Sequence, residues 1–265
     1  MPTFKITLAY DGAGYVGWQR QDNGVSIQAQ IEDALRALDG RDVTVAGAGR
    51  TDAGVHALGQ VAAFTIAREL EPDALVRALN GHLPRAIRVI AAERAAPGFH
   101  PRFSAHKKTY RYRLWNDEVM SPFEREYAWH VPGPLDVEAM GAAARLVEGR
   151  HDFAAFQAAG SSVATTEREI FESVFRTPHL APRTPHPEPR TSNPELLCYD
   201  ITGTGFLRHM VRIIVGSLVE IGRGRQPVEW IGDVIAARDR TLAGPTAPPH
   251  GLFLVATEYG GSGSI

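Results

Sequence analysis

The spacing of apolar side chains predicts alternating strands and helices over the first hundred residues. Residues 3–10 alternate between apolar and polar positions, as a strand with one buried face does. Residues 27–38 place apolar side chains at helical spacing between Ser26, a favourable N-cap, and Gly40, which ends the pattern. The same reasoning predicts strands at about 42–48, 59–66 and 86–94 and a helix that starts at Pro72. This β-α-β-β-α-β order is the ferredoxin-like arrangement.

The rest of the chain shows a second series of such elements. Lys107–Trp115 predicts a strand with Tyr110 and Tyr112 on one face, and Asp136 can cap a helix that ends by Gly149. The further predicted elements are strands at about 124–131, 168–176, 195–202 and 251–259 and helices at about 207–221 and from Pro227. The sequence therefore predicts an α+β fold of two similar ferredoxin-like-derived halves with mainly antiparallel sheets, although no internal sequence repeat is evident.

Chain length and element order predict two domains. The 265 residues are enough for two cores, and the order of elements places an N-terminal domain at 1–105 and a C-terminal domain at 106–265. A proline-rich segment at 178–194 interrupts the second domain. Because its prolines exclude regular structure, we predict an elongated hairpin loop there.

Composition excludes several classes of protein. With 44% hydrophobic and 22% charged residues the chain is typical of a globular protein, and no apolar run reaches membrane-spanning length, so we predict a cytoplasmic protein. The single cysteine, Cys198, excludes an internal disulfide and lies in a strand pattern, where a small core residue is expected. His179 and His186 have no third ligand at suitable spacing, so no metal site is predicted.

Positive charge is concentrated in one stretch although the net charge of the chain is only −2. No Asp or Glu occurs between Gly98 and Asn116, whereas Arg102, Lys107, Lys108, Arg111 and Arg113 fall there. Bases interleaved with Tyr110 and Tyr112 suit a surface that stacks nucleobases and neutralises phosphates. The alternative is a strand with one core face and one solvated face.

A glycine-punctuated turn at 47–54 carries the strongest candidate for chemistry, Asp52. Arg50 lies two positions before this carboxylate and His56 four positions after it. Near an arginine, an aspartate stays ionised and can act as a nucleophile; alternatively, it caps the turn through backbone N–H groups. A dinucleotide-binding loop is excluded because a strand pattern, not a helix, follows.

Two arginines on the predicted helix at 207–221 form a second candidate feature. Arg208 and Arg212 lie one turn apart, and apolar side chains continue their face. A buried guanidinium needs an anionic partner, which could be Asp52; a guanidinium that reaches water along the helix surface needs none.

Taken together, these stretches resemble the tRNA pseudouridine synthase family of the TruA type. The resemblance is carried from residue 8 to about 255 by Tyr10-Asp-Gly, Gly17-Trp-Gln-Arg-Gln, Gly49-Arg-Thr-Asp-Ala-Gly-Val-His56, Phe99-His-Pro-Arg-Phe-Ser-Ala, Tyr110-Arg-Tyr, His151-Asp-Phe, Phe206-Leu-Arg-His-Met-Val-Arg, Asp239-Arg-Thr-Leu-Ala-Gly and Gly251-Leu-Phe-Leu-Val. The proline-rich segment at 178–194 is longer than the family pattern leads us to expect.

The resemblance implies a fold, an activity and a set of partners. The two halves would meet at a central RNA-binding cleft, as in the pseudouridine synthase fold. The enzyme would flip uridines 38, 39 and 40 out of the tRNA anticodon arm and isomerise them to pseudouridine. It would act as a homodimer in the cytoplasm, with no cofactor and no metal.

The resemblance also implies roles for individual residues. Asp52 would be the nucleophile, Tyr110 would pack on the target uracil and is a candidate for removing its C5 proton, and Arg212 would pair with Asp52. Arg50 would contact RNA and support the flipped nucleotide. The further predicted RNA-binding residues are Arg20, Lys107, Arg111 and Arg208.

Three questions stay open at the level of sequence. The carboxylate of Asp52 could add to C6 of the uracil or assist departure at C1′. An RNA-binding protein without catalysis could use the same basic strand. A nucleotide-binding enzyme could use the turn at 47–54 for phosphate, although the loop lacks the lysine and the following helix.

Overall fold

The computed structural model describes residues 1–158, 160, 163–176 and 196–260. In chain order, the elements of these residues are β1 (Thr3–Tyr10), α1 (Ile27–Asp39), β2 (Ala46–Gly47), β3 (His56–Thr65), α2 (Pro72–His82), β4 (Ile87–Arg94), β5 (Ala105–Trp115), β6 (Trp129–His130), α3 (Val137–Arg145), β7 (Gly149–Asp152), β8 (Glu167–Arg176), β9 (Leu196–Gly203), α4 (Met210–Gly222), α5 (Trp230–Ala237) and β10 (Leu252–Tyr259). The predicted hairpin loop at 178–194, with His179 and His186, lies outside the described residues.

The chain divides into two compact units. Unit 1 comprises Met1–Lys108 with Phe253–Ile265, and unit 2 comprises Thr109–Leu252. These units differ from the domains predicted at 1–105 and 106–265, chiefly because β10 pairs with β3 and so groups with unit 1.

The sheet of unit 1 follows the predicted β-α-β-β-α-β order. β1 lies antiparallel between β3 and β4, and its apolar positions are fully buried at Phe4, Ile6 and Leu8. The other edge of β3 is shared: β10 pairs in parallel near its start, and β2 pairs antiparallel further along. This sheet positions the loop between β2 and β3.

Local sequence signals account for the ends of α1. The Ser26 hydroxyl accepts a hydrogen bond from the Ala29 amide at 3.2 Å, and Gly40 adopts the left-handed conformation that ends many helices. Both predictions are confirmed. β2 is shorter than the predicted strand at 42–48 because side chains of α1 bond the Val45 backbone: Gln28 donates to its carbonyl and Glu32 accepts from its amide.

Unit 2 contains the strand order β5-β9-β8-β7, with β6 parallel to β5. Asp136 caps α3 as predicted, accepting from the Ala139 amide at 2.9 Å. The helix ends at Arg145, and Gly149 begins β7, a strand that the sequence did not indicate. The predicted strand at 124–131 is reduced to β6 because residues 124–128 form hydrogen-bonded turns.

The architecture is therefore a mixed α and β fold with a multi-stranded sheet and five α helices among the described residues. None of those helices combines the length and apolar character that crossing a membrane requires. Cys198 is buried beside Trp115 and Ala128, which confirms its prediction as a small core residue.

Candidate active site

Asp52 lies on the loop between β2 and β3, in unit 1. The Ala48 amide donates to the Val61 carbonyl at 2.8 Å and extends the β2–β3 ladder into the loop, and the Val55 amide donates to the Asp52 carbonyl at 3.1 Å. The Asp52 side chain is partly buried and Arg50 is exposed. A strand, β3, follows the loop, which confirms the argument against a dinucleotide site.

Three side chains hold the residues that precede Asp52, and we call them the loop clamp: Tyr10, Gln60 and Lys108. The Gln60 amide nitrogen donates to the Gly49 carbonyl at 2.9 Å, and the Lys108 ammonium donates to the Ala48 carbonyl at 2.7 Å. The Tyr10 hydroxyl and the Thr51 hydroxyl share a hydrogen bond of 2.8 Å. The clamp thus bonds three of the four residues directly before Asp52.

Burial makes the clamp rigid. Gln60 is fully buried and Tyr10 is 4% exposed, so losing a partner would leave a polar group without water. Burial raises the pKa of Tyr10 to about 12, against the opposing effect of its bonds to Thr51 and Gln60. The Tyr10 hydroxyl therefore stays protonated at neutral pH and acts as a structural group.

The segment 12–18 supports the loop from a second side. The Trp18 amide donates to the Thr51 carbonyl at 3.0 Å, and Gly17 has a φ of 107°. A Cβ on Gly17 would lie 2.6 Å from that carbonyl oxygen, so a glycine is required here. His56 accepts a hydrogen bond from the Gly12 amide at 3.0 Å and ties the far end of the loop to the same segment.

The predicted RNA-binding cations of unit 1 differ in their surroundings. Arg20 forms ion pairs with Glu32 at 2.8 Å and Asp33 at 3.4 Å on α1. Arg50 and Lys107 are exposed. RNA phosphate would therefore have to compete with two carboxylates for Arg20.

The two tyrosines of β5 face the core of unit 2. Tyr110 is 8% exposed and meets Phe206 edge-on, with ring centroids 5.1 Å apart. Tyr112 is fully buried, and its hydroxyl donates to the Pro248 carbonyl at 2.8 Å. Tyr110 therefore keeps a small exposed fraction, whereas Tyr112 is a core residue.

Arg111 faces away from these tyrosines and is held by a buried carboxylate. Its guanidinium makes a bidentate pair with Asp200 at 2.7 and 2.8 Å, and Arg176 contacts the same carboxylate at 3.2 Å. The hydrogen bonds to Asp200 raise the pKa of Arg111, so this side chain is fully charged. Much of that charge is nevertheless neutralised within the protein, which weakens Arg111 as a phosphate ligand.

The structure corrects the predicted helical face of Arg208 and Arg212. His209 adopts a left-handed conformation with φ of 62°, so α4 begins at Met210 and Arg208 lies outside the helix, exposed. Arg212 is partly buried, and its Nε donates to the Ala247 carbonyl at 2.7 Å. The two arginines therefore do not share one helical face, and the pairing of Arg212 with Asp52 stays a prediction.

The sequence reasoning missed the loop clamp. Gln60 carried a usable signal, since a polar residue inside the otherwise apolar stretch 57–64 suggests a buried hydrogen bond. Lys108 carried none, because its role depends on a contact with a segment 60 residues away. In the part of the chain that the structure describes, no cluster of His, Cys, Asp or Glu is arranged to hold a metal ion.

Fold and loop together point to one class of enzyme. A sequence model of the family described as tRNA pseudouridine synthase matches residues 6–104 and 143–260. The chain belongs to this family and is therefore an isomerase.

Curated relatives agree over nearly the whole chain. A protein of Myxococcus xanthus named tRNA pseudouridine synthase A is 46% identical over 259 residues, which cover 98% of this chain and 92% of the relative. Proteins of the same name from Moorella thermoacetica and Solibacter usitatus are 44% and 45% identical, and each match covers 98% of this chain and 100% of the relative.

Proposed function

We propose that the enzyme isomerises uridine to pseudouridine at positions 38, 39 and 40 of the tRNA anticodon arm. Asp52 is the nucleophile, and Tyr110 stacks on the flipped uracil. Arg50, Lys107 and the other predicted cations contact the RNA. The duplicated halves around an RNA-binding cleft, the homodimer and the cytoplasmic location belong to the same proposal.

The atoms of the proposed reaction balance without an external reactant. The N1–C1′ bond breaks, the uracil turns within the site, and a C5–C1′ bond forms. The C5 proton leaves and N1 gains a proton, so the product has the composition of the substrate. We propose that no cofactor takes part.

The observation that carries this proposal is the fixed loop around Asp52. A reacting group must be held to a fraction of an ångström, and buried supporting bonds achieve this. The loop clamp and the segment 12–18 hold the backbone on both sides of Asp52, while the carboxylate itself is only partly buried. A carboxylate that merely capped the turn would not need such support.

Tritium release from tRNA containing [5-³H]uridine separates the three functional classes. We expect wild-type enzyme to release tritium, because C5 loses its proton when it bonds to C1′. Tight tRNA binding without release would favour an RNA-binding protein that lacks catalysis. Binding of ATP or GTP by a wild-type protein that neither binds tRNA nor releases tritium would favour a nucleotide-binding enzyme with a phosphate site at 47–54.

Arg212→Ala tests the proposed pairing of Arg212 with Asp52. An arginine that pairs with a carboxylate holds it in one orientation, so its removal should leave the Asp52 carboxylate poorly placed to react. We expect kcat to fall by about tenfold or more while the Kd for tRNA changes little. Arg225→Ala is the control, because Arg225 is exposed and pairs with Glu220. An unchanged kcat for Arg212→Ala would rule out the pairing.

Gln60→Leu tests the loop clamp against a matched change in unit 2. Gln60 and Asn116 are both fully buried amides that donate to backbone carbonyls, so Gln60→Leu and Asn116→Leu should each cost about 1–3 kcal/mol of stability. We expect only Gln60→Leu to lower kcat further, by about tenfold or more, because a small misplacement of a reacting group is costly. Equal kcat in the two variants would show that the clamp only stabilises the fold.

A further inference from the structure

The turn that precedes β5 presents an aromatic ring to solvent. Phe103 is 77% exposed, and it lies in the part of the acid-free stretch that the proposed active site does not use. A single exposed aromatic residue is common on protein surfaces. The surroundings of Phe103 therefore decide whether it has a role.

The turn is fixed by its own hydrogen bonds. The imidazole Nδ1 of His100 accepts from the amides of Arg102 at 3.1 Å and Phe103 at 3.3 Å. The Ser104 hydroxyl accepts from the His100 amide at 3.1 Å, and the Ser104 amide donates to the His100 carbonyl at 2.9 Å. Because the backbone of the turn is already ordered, the protein would lose little conformational entropy when a ligand stacks on Phe103.

One aromatic and one cationic side chain lie beside the Phe103 ring. The His100 ring packs beside it with centroids 4.4 Å apart, and the Arg102 guanidinium lies 5.7 Å from its centroid. The exposed Lys107 follows a few residues later, and the sequence has no carboxylate between Gly98 and Asn116. An exposed aromatic ring with a guanidinium beside it matches the two parts of a nucleotide, a flat base and an anionic phosphate.

The turn lies far from Asp52 within unit 1. The Tyr259 hydroxyl donates to the Pro101 carbonyl at 2.8 Å, and the Ala95 amide donates to the Thr3 carbonyl at 2.9 Å, which anchor the turn near the Thr3 end of β1. Tyr10, at the other end of β1, belongs to the loop clamp. Seven residue steps of a strand span about 23 Å, so the turn and Tyr10 lie at opposite ends of β1.

We propose that Phe103, with Arg102 and His100, forms a second RNA-binding site on unit 1. The site stacks an unpaired nucleobase of the tRNA on Phe103 and holds an adjacent phosphate with Arg102. It holds the RNA away from the Asp52 loop, so it contributes to affinity and not to bond making. The inference rests on the proposed function in taking RNA as the substrate.

The test compares three variants of the full-length enzyme with one tRNA transcript. Phe103→Ala removes the ring, Phe103→Trp keeps an aromatic face, and Ile90→Ala removes an exposed apolar side chain from β4, 57% exposed, as the control. We expect Phe103→Ala to raise Kd and KM for tRNA by about 5- to 100-fold. Phe103→Trp should restore most of the affinity, and Ile90→Ala should bind like the wild type.

Two outcomes would overturn this second site. Unchanged Kd and KM in Phe103→Ala would show that the ring does not contact RNA. A change of oligomeric state in Phe103→Ala, measured by light scattering, would show that a second copy of the chain covers the ring instead. If the wild type formed no pseudouridine, the proposed function would fail, while the comparison of Kd values would still decide the binding site.

Discussion

Replacing Asp52 with asparagine should lower kcat by on the order of 10³-fold or more while tRNA binding changes little. Asparagine has nearly the same shape as aspartate but neither the charge nor the nucleophilicity of a carboxylate. The loop around it is held by bonds from Tyr10, Gln60 and Lys108, none of which involves the Asp52 carboxylate. The variant should therefore fold normally, and the loss should appear in the chemical step.

Single-turnover rates with enzyme in excess, together with Kd values from filter binding, measure this prediction. Asp73→Asn, an exposed change in the first turn of α2, is a matched loss of one carboxylate in unit 1 and should leave the rate unchanged. An Asp52→Asn rate within tenfold of the wild type would exclude Asp52 as the nucleophile. A large rise in Kd would instead assign Asp52 to RNA binding.

Tyr110 carries the second large expected effect. Tyr110→Ala should weaken tRNA binding by about 1–3 kcal/mol, the usual contribution of one base stacked on an aromatic ring. Its kcat should also fall, because the uracil would no longer be held in place. Tyr110→Phe keeps the ring and its edge-on contact with Phe206, so binding should be retained.

The hydroxyl of Tyr110 can be tested separately from its ring. Tyr199→Phe is the control, since Tyr199 is fully buried and its hydroxyl bonds to Ser173 at 2.7 Å within unit 2. If the Tyr110 hydroxyl helps to remove the C5 proton, Tyr110→Phe should lower kcat without raising KM, and Tyr199→Phe should not. Complete loss of tRNA affinity in Tyr110→Phe would contradict the stacking role.

Elements whose ends depend on local chemistry could be predicted from the sequence. The Ser26 cap, the Gly40 end of α1 and the Asp136 cap of α3 each involve residues within one helical turn. The alternating burial of β1 likewise follows from its own residues. Such features need no knowledge of distant contacts, and the structure confirms them.

Features that depend on distant partners or on an uncommon backbone conformation could not be predicted. β2 is short because Gln28 and Glu32 of α1 bond the Val45 backbone, which no strand pattern reveals. Arg208 leaves the predicted helix because His209 takes a left-handed conformation, which is uncommon for a residue other than glycine. The helical periodicity of the side chains does not indicate this backbone conformation.

The candidate site likewise has one part that the sequence could predict and one part that depends on distant contacts. The glycine-rich turn identifies Asp52 as a candidate from the sequence alone, because its composition is unusual between two strands. The bonds that fix the turn come from Tyr10, Gln60 and Lys108, and those of Tyr10 and Lys108 reach across 41 and 60 residues. Sequence thus supplied the candidate for the reacting group, and the structure adds the side chains that hold its loop.

The most direct test uses a tRNA that carries tritium only at C5 of uridine 39. Wild-type enzyme in excess should release one equivalent of tritium, and the product should contain pseudouridine at that position. Asp52→Ala should bind the same tRNA and release none. Retention of the tritium by the wild type, or release by Asp52→Ala at a comparable rate, would contradict the claim that Asp52 drives isomerisation in the anticodon arm.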